Sequence, residues 1–259
     1  MEQPLVSIIT PTFNSAKFIL QTLHSVQNQS YQNWELIIVD DCSTDDTIKI
    51  ITSVIQNEKR IKLFQNEINY GAGITRNKAL QFANGRFIAF LDSDDLWKID
   101  KLTNQINYLI SNNVPFTFSS YELINEEGIP LNKVIKTPQK LTYNQLFFCN
   151  YVGNLTGIYD VKHFGKIQIS QIRKRQDWIL WLTILKKIEV VKPIQESLAF
   201  YRVRNDSISA SKIGLLKSNY CVYRQFHELN VFMSILCMTG FLIAQFLIKP
   251  KYIQKIKRP

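Results

Sequence analysis

The sequence predicts an α/β protein with a mostly parallel central sheet flanked by helices. Short apolar runs of strand length alternate with stretches of helical periodicity through the first hundred residues. Three of those runs stop in Pro/Thr or Asp clusters, which puts their loops along one rim. With 259 residues, 46% of them hydrophobic, the chain is long enough to bury one sizeable core.

Residues 5–9 read as the first strand, ended by Thr10-Pro11-Thr12. Asn14-Ser15 is placed to cap a helix reaching about Gln29, with Phe18, Ile19, Leu23 and Val26 on one face. Residues 34–39 form a second strand that stops at Asp40-Asp41. Ser43-Thr44-Asp45-Asp46 then starts a helix with its acids at the positive end of the dipole. Residues 61–64 are a third, short strand. Gly71-Ala72-Gly73 opens a helix through Ala83, which Asn84-Gly85 closes. Residues 87–91 are uniformly apolar and read as a buried strand. A helix from about Lys98 to Ser111 follows, then a strand over 116–123 and a polar, turn-rich segment over 125–140. A helix from about Gln176 to Lys187 carries Trp178, Leu182 and Leu185 on one side, and 197–203 is a late strand. Strands alternating with helices imply right-handed crossovers and hence a parallel sheet.

Composition narrows the function classes. Cys42, Cys149, Cys221 and Cys237 are scattered with no C-x-x-C pair, so neither a disulfide framework nor a zinc site is indicated. Three histidines are too few and too dispersed for a His-based metal site. The first residues lack a basic stretch followed by an apolar one, so no signal peptide is expected, and the sequons at Asn28 and Asn154 carry no glycosylation meaning. The net charge of +10 is uneven: residues 1–120 carry −2 and residues 121–259 carry +12. A basic half seeks phosphate in nucleic acid, anionic lipid or a lipid-linked pyrophosphate, or simply keeps the chain soluble.

Asp92, Asp94 and Asp95 are the most informative residues. They fall directly after the strand over 87–91, and in an open parallel sheet ligands bind where strands end. Clustered carboxylates repel, and burying one is costly unless it is paired or metal-bound. Mg²⁺ or Mn²⁺ would neutralise them, since such a cation takes one or two carboxylates plus substrate phosphates. The alternative is a solvated acidic turn that caps the next helix.

Residues 229–248 carry no charge and are about long enough to span a bilayer. Lys249, Lys251, Lys255, Lys257 and Arg258 follow. Asn230, Ser234, Thr239, Gly240 and Gln245 dilute the run, and a span would put the basic end outside, against the positive-inside rule. An interfacial or shallowly inserted helix, its lysines on anionic headgroups, is preferred over a helix packed on a core or partner. The expected organisation is a domain over 1–210, with halves 1–100 and 101–210, and a helical membrane-associating tail over 211–259. The expected location is cytoplasmic, peripheral on the inner face of the plasma membrane.

With these residues placed, the chain resembles the family 2 glycosyltransferases, the inverting type with the GT-A nucleotide-sugar fold. Four ordered blocks carry the resemblance across about residues 5–100: Val6-Ser7-Ile8-Ile9-Thr10-Pro11-Thr12-Phe13-Asn14, Leu36-Ile37-Ile38-Val39-Asp40-Asp41-Cys42-Ser43-Thr44-Asp45, Asn69-Tyr70-Gly71-Ala72-Gly73-Ile74-Thr75-Arg76-Asn77, and Phe90-Leu91-Asp92-Ser93-Asp94-Asp95. The last resembles the D-x-D metal motif. Arg175-Gln176-Asp177-Trp178 resembles an acid-then-Trp block holding the general base, with Gln176 where an acid is usual. Residues 201–209 resemble a loop that closes over the diphosphate, with Arg204 where the family often has His. Cys42 replaces a common Gly.

The resemblance implies transfer of a sugar, with inversion, from a nucleoside diphosphate (UDP ahead of GDP or dTDP) to a saccharide hydroxyl. The implied acceptor is polyprenyl-linked, in bacterial surface polysaccharide synthesis such as O-antigen, capsule or lipopolysaccharide, with no nucleic acid partner. It implies Asp177 as the base, or else an N-cap, and Mn²⁺ or Mg²⁺ on Asp94 with Asp92 near metal or ribose. Thr10, Pro11, Thr12, Asp40, Asp41, Asn69 and Arg76 are expected around the nucleotide, with Asp40 preferred for the base and Arg76 equally placed for a salt bridge. Asp95 and Trp178 are expected on the sugar or acceptor, and Arg202 and Arg204 on the diphosphate or as solvated surface. Gly71-x-Gly73 lacks the third glycine of a dinucleotide fingerprint, since Arg76 stands there. Two alternatives stay open: a sugar nucleotidyltransferase, disfavoured because residues 5–17 have no Gly and one Lys, and a basic lipid- or nucleic-acid-binding module without catalysis.

Overall fold

The computed structural model describes residues 3–204 and 212–256. In chain order these form β1 (Val6–Thr12), α1 (Ile19–Gln27), β2 (Trp34–Asp40), α2 (Thr47–Ile55), β3 (Ile61–Gln65), α3 (Ala72–Phe82) and β4 (Phe87–Phe90). Next come β5 (Leu96–Trp97), α4 (Lys101–Ser111), β6 (Phe116–Thr117), β7 (Ser119–Ile124), β8 (Pro130–Ile135) and β9 (Leu141–Thr142). Then follow α5 (Tyr143–Phe148), β10 (Ile158–Asp160), α6 (Val161–Phe164), α7 (Gln176–Ile188), β11 (Val190–Val191) and β12 (Ile194–Arg202). The C-terminal part holds α8 (Lys212–Cys221), α9 (Val231–Ile243), a wider π-type turn over Ala244–Ile248, a short 3₁₀ turn over Lys249–Tyr252, and β13 (Ile253–Lys255).

The main sheet runs β3-β2-β1-β4-β10-β6. β1 to β4 are parallel and β10 inserts antiparallel between β4 and β6. Its central strands are apolar on both faces because both are covered. Ile9, Ile37, Ile88 and Phe90 pack on the α7 side with Trp181 and Leu185. Ile8, Leu36, Ile38 and Ala89 pack on the other side with Leu23, Leu102 and Ile106. Each buried Ile, Leu or Phe among them contributes roughly 1.5–3 kcal/mol of burial.

The expected strand over 116–123 is two strands. It breaks at Phe118 and passes from the main sheet into a second one, ordered β13-β8-β7-β12-β5. The turn-rich segment 125–140 contains β8, which pairs antiparallel with β7. Asn14-Ser15 does not cap α1, which starts at Ile19. Asn14 sits at φ 45° and accepts from the Thr44 N–H on Oδ1, lacing the loop after β1 to the loop after β2. An Asn tolerates that backbone and can bond locally, which is why the cap signal misled.

The C-terminal segment is stitched into the body. β13 pairs with β8, Ile253 opposite Ile135 and Lys255 opposite Lys133. α9 buries Ser234, Cys237 and Phe241, and the π-type turn buries Ala244. His227 packs its ring against Phe147 at 4.5 Å. Burial and the nearby Lys186 charge push its pKa down to about 4, and its Nε2 is buried without a partner. The native state therefore refuses a proton that the unfolded chain accepts below about 6.5. Stability should fall as pH drops from about 6.5 to about 4. Chemical denaturation across that window checks this: His227→Phe should flatten the slope, and an unchanged slope would remove His227 as its source.

Candidate active site

The carboxyl ends of β1, β2 and β4 converge on one rim. Backbone bonds tie them: Asp41 N donates to Thr12 O at 2.8 Å and Leu91 N to Ile9 O at 3.1 Å. The Ser15 and Ser93 hydroxyls meet at 2.7 Å. Thr10, Pro11 and Thr12 close β1 in buried positions, and the Thr10 and Thr12 hydroxyls have no protein partner. Phe13, next in the chain, is 47% exposed on the same rim.

Asp40 and Asp41 shape loops. Asp40 is fully buried and takes the Ser43 N–H at 2.8 Å on one oxygen and the Ser43 hydroxyl at 2.5 Å on the other. Asp41 accepts from Asn66 Nδ2 and Tyr70 N on Oδ1, and from Gly71 N on Oδ2 at 2.7 Å. The geometry gives the Asp40 carboxylate to its own turn, where the sequence suggested a nucleobase. Cys42 follows at φ 68°, the left-handed backbone that glycine adopts without strain. Asn69 stands exposed on the loop before Gly71. A Cβ on Gly73 would meet Gln176 Nε2 at 2.3 Å, so this glycine lets α3 approach α7.

The acidic run is not a helix cap. β5 separates it from α4, whose N-cap position is Asp100. Asp92 accepts from Arg76 Nη2 at 2.6 Å and from Asn154 Nδ2 at 3.2 Å on both oxygens. Asp94 pairs with Arg204 Nη1 at 3.0 Å. Burial, and then the Asp92 charge, raise the Asp94 pKa against the pull of Arg204. Asp95 is 2% exposed, accepts the Arg202 N–H at 2.9 Å, and is held well above the usual carboxylate range by burial and its two acidic neighbours. It therefore anchors β12 and does not face an acceptor.

Arg202 is likewise internal. Its guanidinium donates to the carbonyls of Asp94, Asn125 and Glu126 and to Gln21 Oε1. It is a strut beneath the acidic run, not a free phosphate ligand. Arg204 lies further out, over the Phe18 ring at 4.9 Å. Residues 205–209 of the expected closing loop lie outside the described residues.

On the far side, Asp177 sits in the first turn of α7 with Arg175 at the N-cap position, φ 69°. Asp177 Oδ2 accepts from Asn150 Nδ2 at 2.8 Å. Gln176 accepts from Arg76 Nη1 at 3.0 Å. One hydrogen-bonded chain thus runs Asn154–Asp92–Arg76–Gln176 and ends beside Asp177. Trp178 points the other way: it is 1% exposed, donates Nε1 to Leu146 O at 2.7 Å and packs on Tyr223 and Phe241. The acceptor wall expected of it is core instead, because the helical period that presents Asp177 turns its neighbour inward. Asn150 and Asn154 had no sequence signal, being single amides in irregular segments.

Among the described residues no three His, Cys, Asp or Glu side chains gather around a metal position. Asp92 and Asp94 nevertheless fit a hard cation. They repel each other in a partly buried site, and two carboxylates completed by substrate phosphates are an ordinary shell.

A mostly parallel sheet whose strand ends gather an acidic motif, with a carboxylate on a facing helix, defines an α/β protein that binds its ligand along that rim. The profile described as glycosyl transferase family 2 matches residues 7–161. The chain is 42% identical over 239 residues to TuaG of Bacillus subtilis, a protein named for teichuronic acid biosynthesis, covering 92% of this chain and 95% of that protein. It is 40% identical over 230 residues to WfgD of Escherichia coli, named UDP-Glc:alpha-D-GlcNAc-diphosphoundecaprenol beta-1,3-glucosyltransferase, covering 88% of each. Among solved structures, S. aureus TarS in complex with UDP-GlcNAc superposes with a TM-score of 0.69 at 22% identity, over 93% of this chain and 73% of that one. The mannosyltransferase PcManGT of Pyrobaculum calidifontis, with GDP-Man and Mn2+, gives 0.64 at 16% identity, over 97% and 72%. The chain belongs to glycosyl transferase family 2. It is a glycosyltransferase of GT-A fold, and the nucleotidyltransferase and binding-module alternatives are not favoured.

Proposed function

We propose that this enzyme transfers a hexosyl or N-acetylhexosaminyl group, with inversion, from a UDP-sugar to a hydroxyl of a polyprenyl-diphosphate-linked saccharide in bacterial surface polysaccharide synthesis. The hydrogen-bonded chain from Asp92 through Arg76 and Gln176 to the α7 turn carries the reading, because it fixes a donor end and a base end in one frame. Relatives named for teichuronic acid synthesis and for a diphosphoundecaprenol acceptor support the acceptor class.

The acceptor hydroxyl gives its proton to the Asp177 carboxylate as its oxygen bonds to the sugar's anomeric carbon. The bond from that carbon to the diphosphate oxygen breaks, and its electron pair leaves with UDP. A single displacement of this kind inverts the centre. Asp94, with Asp92, would hold Mn²⁺ or Mg²⁺, which when bound neutralises charge developing on the leaving diphosphate. Arg204 adds a cation near the same oxygens. Thr10, Pro11, Thr12, Phe13 and the loop through Asn69 border the nucleotide.

The reading includes peripheral membrane contact on the cytoplasmic face. Of the residues that dilute the apolar run, Ser234 is fully buried, Gln245 is half-buried and Asn230 caps α9, while Thr239 is exposed and its hydroxyl donates back to the Leu236 carbonyl. The outer face is left apolar, with Phe232 74%, Phe246 69% and Leu247 66% exposed. Lys251 and Lys255 stand exposed beside it. This fits an interfacial segment.

The test is transfer of labelled glucose from UDP-glucose, and of N-acetylglucosamine from its UDP derivative, to an N-acetylglucosaminyl-diphosphate-lipid, with Mn²⁺ or EDTA. Metal-dependent product of inverted configuration is expected from one donor. Product of retained configuration, or no transfer from any UDP-sugar, would overturn the proposal.

A further inference from the structure

We propose that the inner face of the C-terminal segment, through Gly240, Gln245, Lys249 and Tyr252, positions Asp177 by way of Asn150. The inference rests on Asp177 being the base. Asn150 follows α5 in an irregular segment, and its side chain does two things. Nδ2 donates to Asp177 Oδ2 at 2.8 Å, and Oδ1 accepts from Val152 N at 3.0 Å. The second bond fixes which way the amide faces, so the first presents a donor to the carboxylate.

The C-terminal segment grips this stretch residue by residue. A Cβ on Gly240 would meet the Phe148 ring at 2.6 Å, so the glycine lets α9 lie against it. Cys149 Sγ lies 3.5 Å from Gln245 Oε1. Lys249 Nζ donates to the Asn150 carbonyl at 2.9 Å. The Tyr252 ring meets Tyr151 edge-on at 5.6 Å. Four successive residues, 148 to 151, are met by four spaced positions of one C-terminal segment. Phe241 of α9 also packs on Trp178, the residue after Asp177. The base is thus reached from both sides, through Asn150 and through α7.

This arrangement accounts for Gly240 and Gln245 inside an otherwise apolar run. A purely lipid-facing helix has no use for Gly240 and Gln245, whereas a helix that docks on residues 148–151 with one face does. The π-type turn over Ala244–Ile248 holds Gln245 and brings Lys249 to the Asn150 carbonyl. Such widened turns recur at functional positions. The outer apolar face and the inner grip are separate surfaces of the same element, so they can be tested separately.

The experiment measures kcat and donor KM on the full chain, with a water-soluble short-alkyl diphosphate saccharide acceptor and no membrane present. Asn150→Ala should lower kcat roughly tenfold or more with donor KM unchanged, since misplacing a base slows chemistry without weakening donor binding. Lys249→Met, which keeps the aliphatic stem, should lower kcat by a smaller factor, about threefold. The double variant should be no slower than Asn150→Ala alone, because the two act through one chain of contacts. Phe232→Ser, on the outer face, should leave all these constants unchanged. Additive losses in the double variant, a rise in donor KM in place of a fall in kcat, or full activity of Lys249→Met would each overturn the relay. Asp177→Asn run alongside separates the cases: an active Asp177→Asn removes the base assignment itself, whereas an inactive one beside an active Asn150→Ala removes only the relay.

Discussion

Asp177→Asn is expected to lower kcat by about 10²- to 10⁴-fold, the range typical of losing a general base, with nucleotide binding preserved. The substitution is nearly isosteric. Its remaining oxygen still accepts the Asn150 amide, which contacts Asp177 at 2.8 Å in the wild type, so the α7 turn keeps its anchor. What disappears, on the proposed reading, is the site that takes the acceptor's proton. Calorimetric titration with UDP and steady-state transfer on the same preparation check both halves. A variant that loses UDP affinity in step with activity would place Asp177 in donor binding, and one within a few-fold of wild type would move the base elsewhere.

Most of the donor half was legible because its signals are local. A strand that ends in Asp, or a glycine before a helix, shows within a few residues, and β1, β2, α3 and β4 lie close to where periodicity put them. The acidic run was legible as a cluster, but its division of labour was not. Asp95 and Arg202 are bound to each other across 107 positions of chain, and no window of sequence shows such a pair. Asp40 was ambiguous for the opposite reason: its partner is three residues away, and a side chain that closes its own turn reads the same as one that waits for a ligand.

The acceptor half was poorly legible because its elements are short and its contacts long-range. β10 has three residues yet separates β4 from β6. The tail shows this most plainly. From charge and hydropathy it reads as a membrane-associating tail appended to the domain. The fold joins it to β8 through β13 and to residues 148–151 through α9 and the turns after it. Hydropathy saw the outer face and took the inward polar residues for dilution.

Asp94→Asn carries the second large effect, and it should move stability and activity in opposite directions. The wild-type carboxylate is held above its ordinary pKa by burial and by the Asp92 charge, with Arg204 only partly offsetting both. A carboxyl whose native pKa is raised gives the native state its full stability below the ordinary value, about 3.9. That stability is lost as pH rises through the raised native pKa. The neutral amide avoids the loss. Metal-free Asp94→Asn should therefore unfold at a higher denaturant concentration than wild type at neutral pH, the gap shrinking as pH falls toward 4. Transfer should meanwhile fall about 10²- to 10³-fold, the cost usual for removing one source of charge stabilisation at a leaving group. Asp95 and Arg202 already tie the turn after β4 to β12, so the Asp94 carboxylate is not needed for that anchor. On the proposed reading, its crowding beside Asp92 serves the leaving diphosphate. Denaturation in EDTA and transfer in Mn²⁺ measure the two sides. A variant less stable than wild type at neutral pH, or one that still transfers sugar at wild-type rate, would show that Asp94 serves the fold and not the donor.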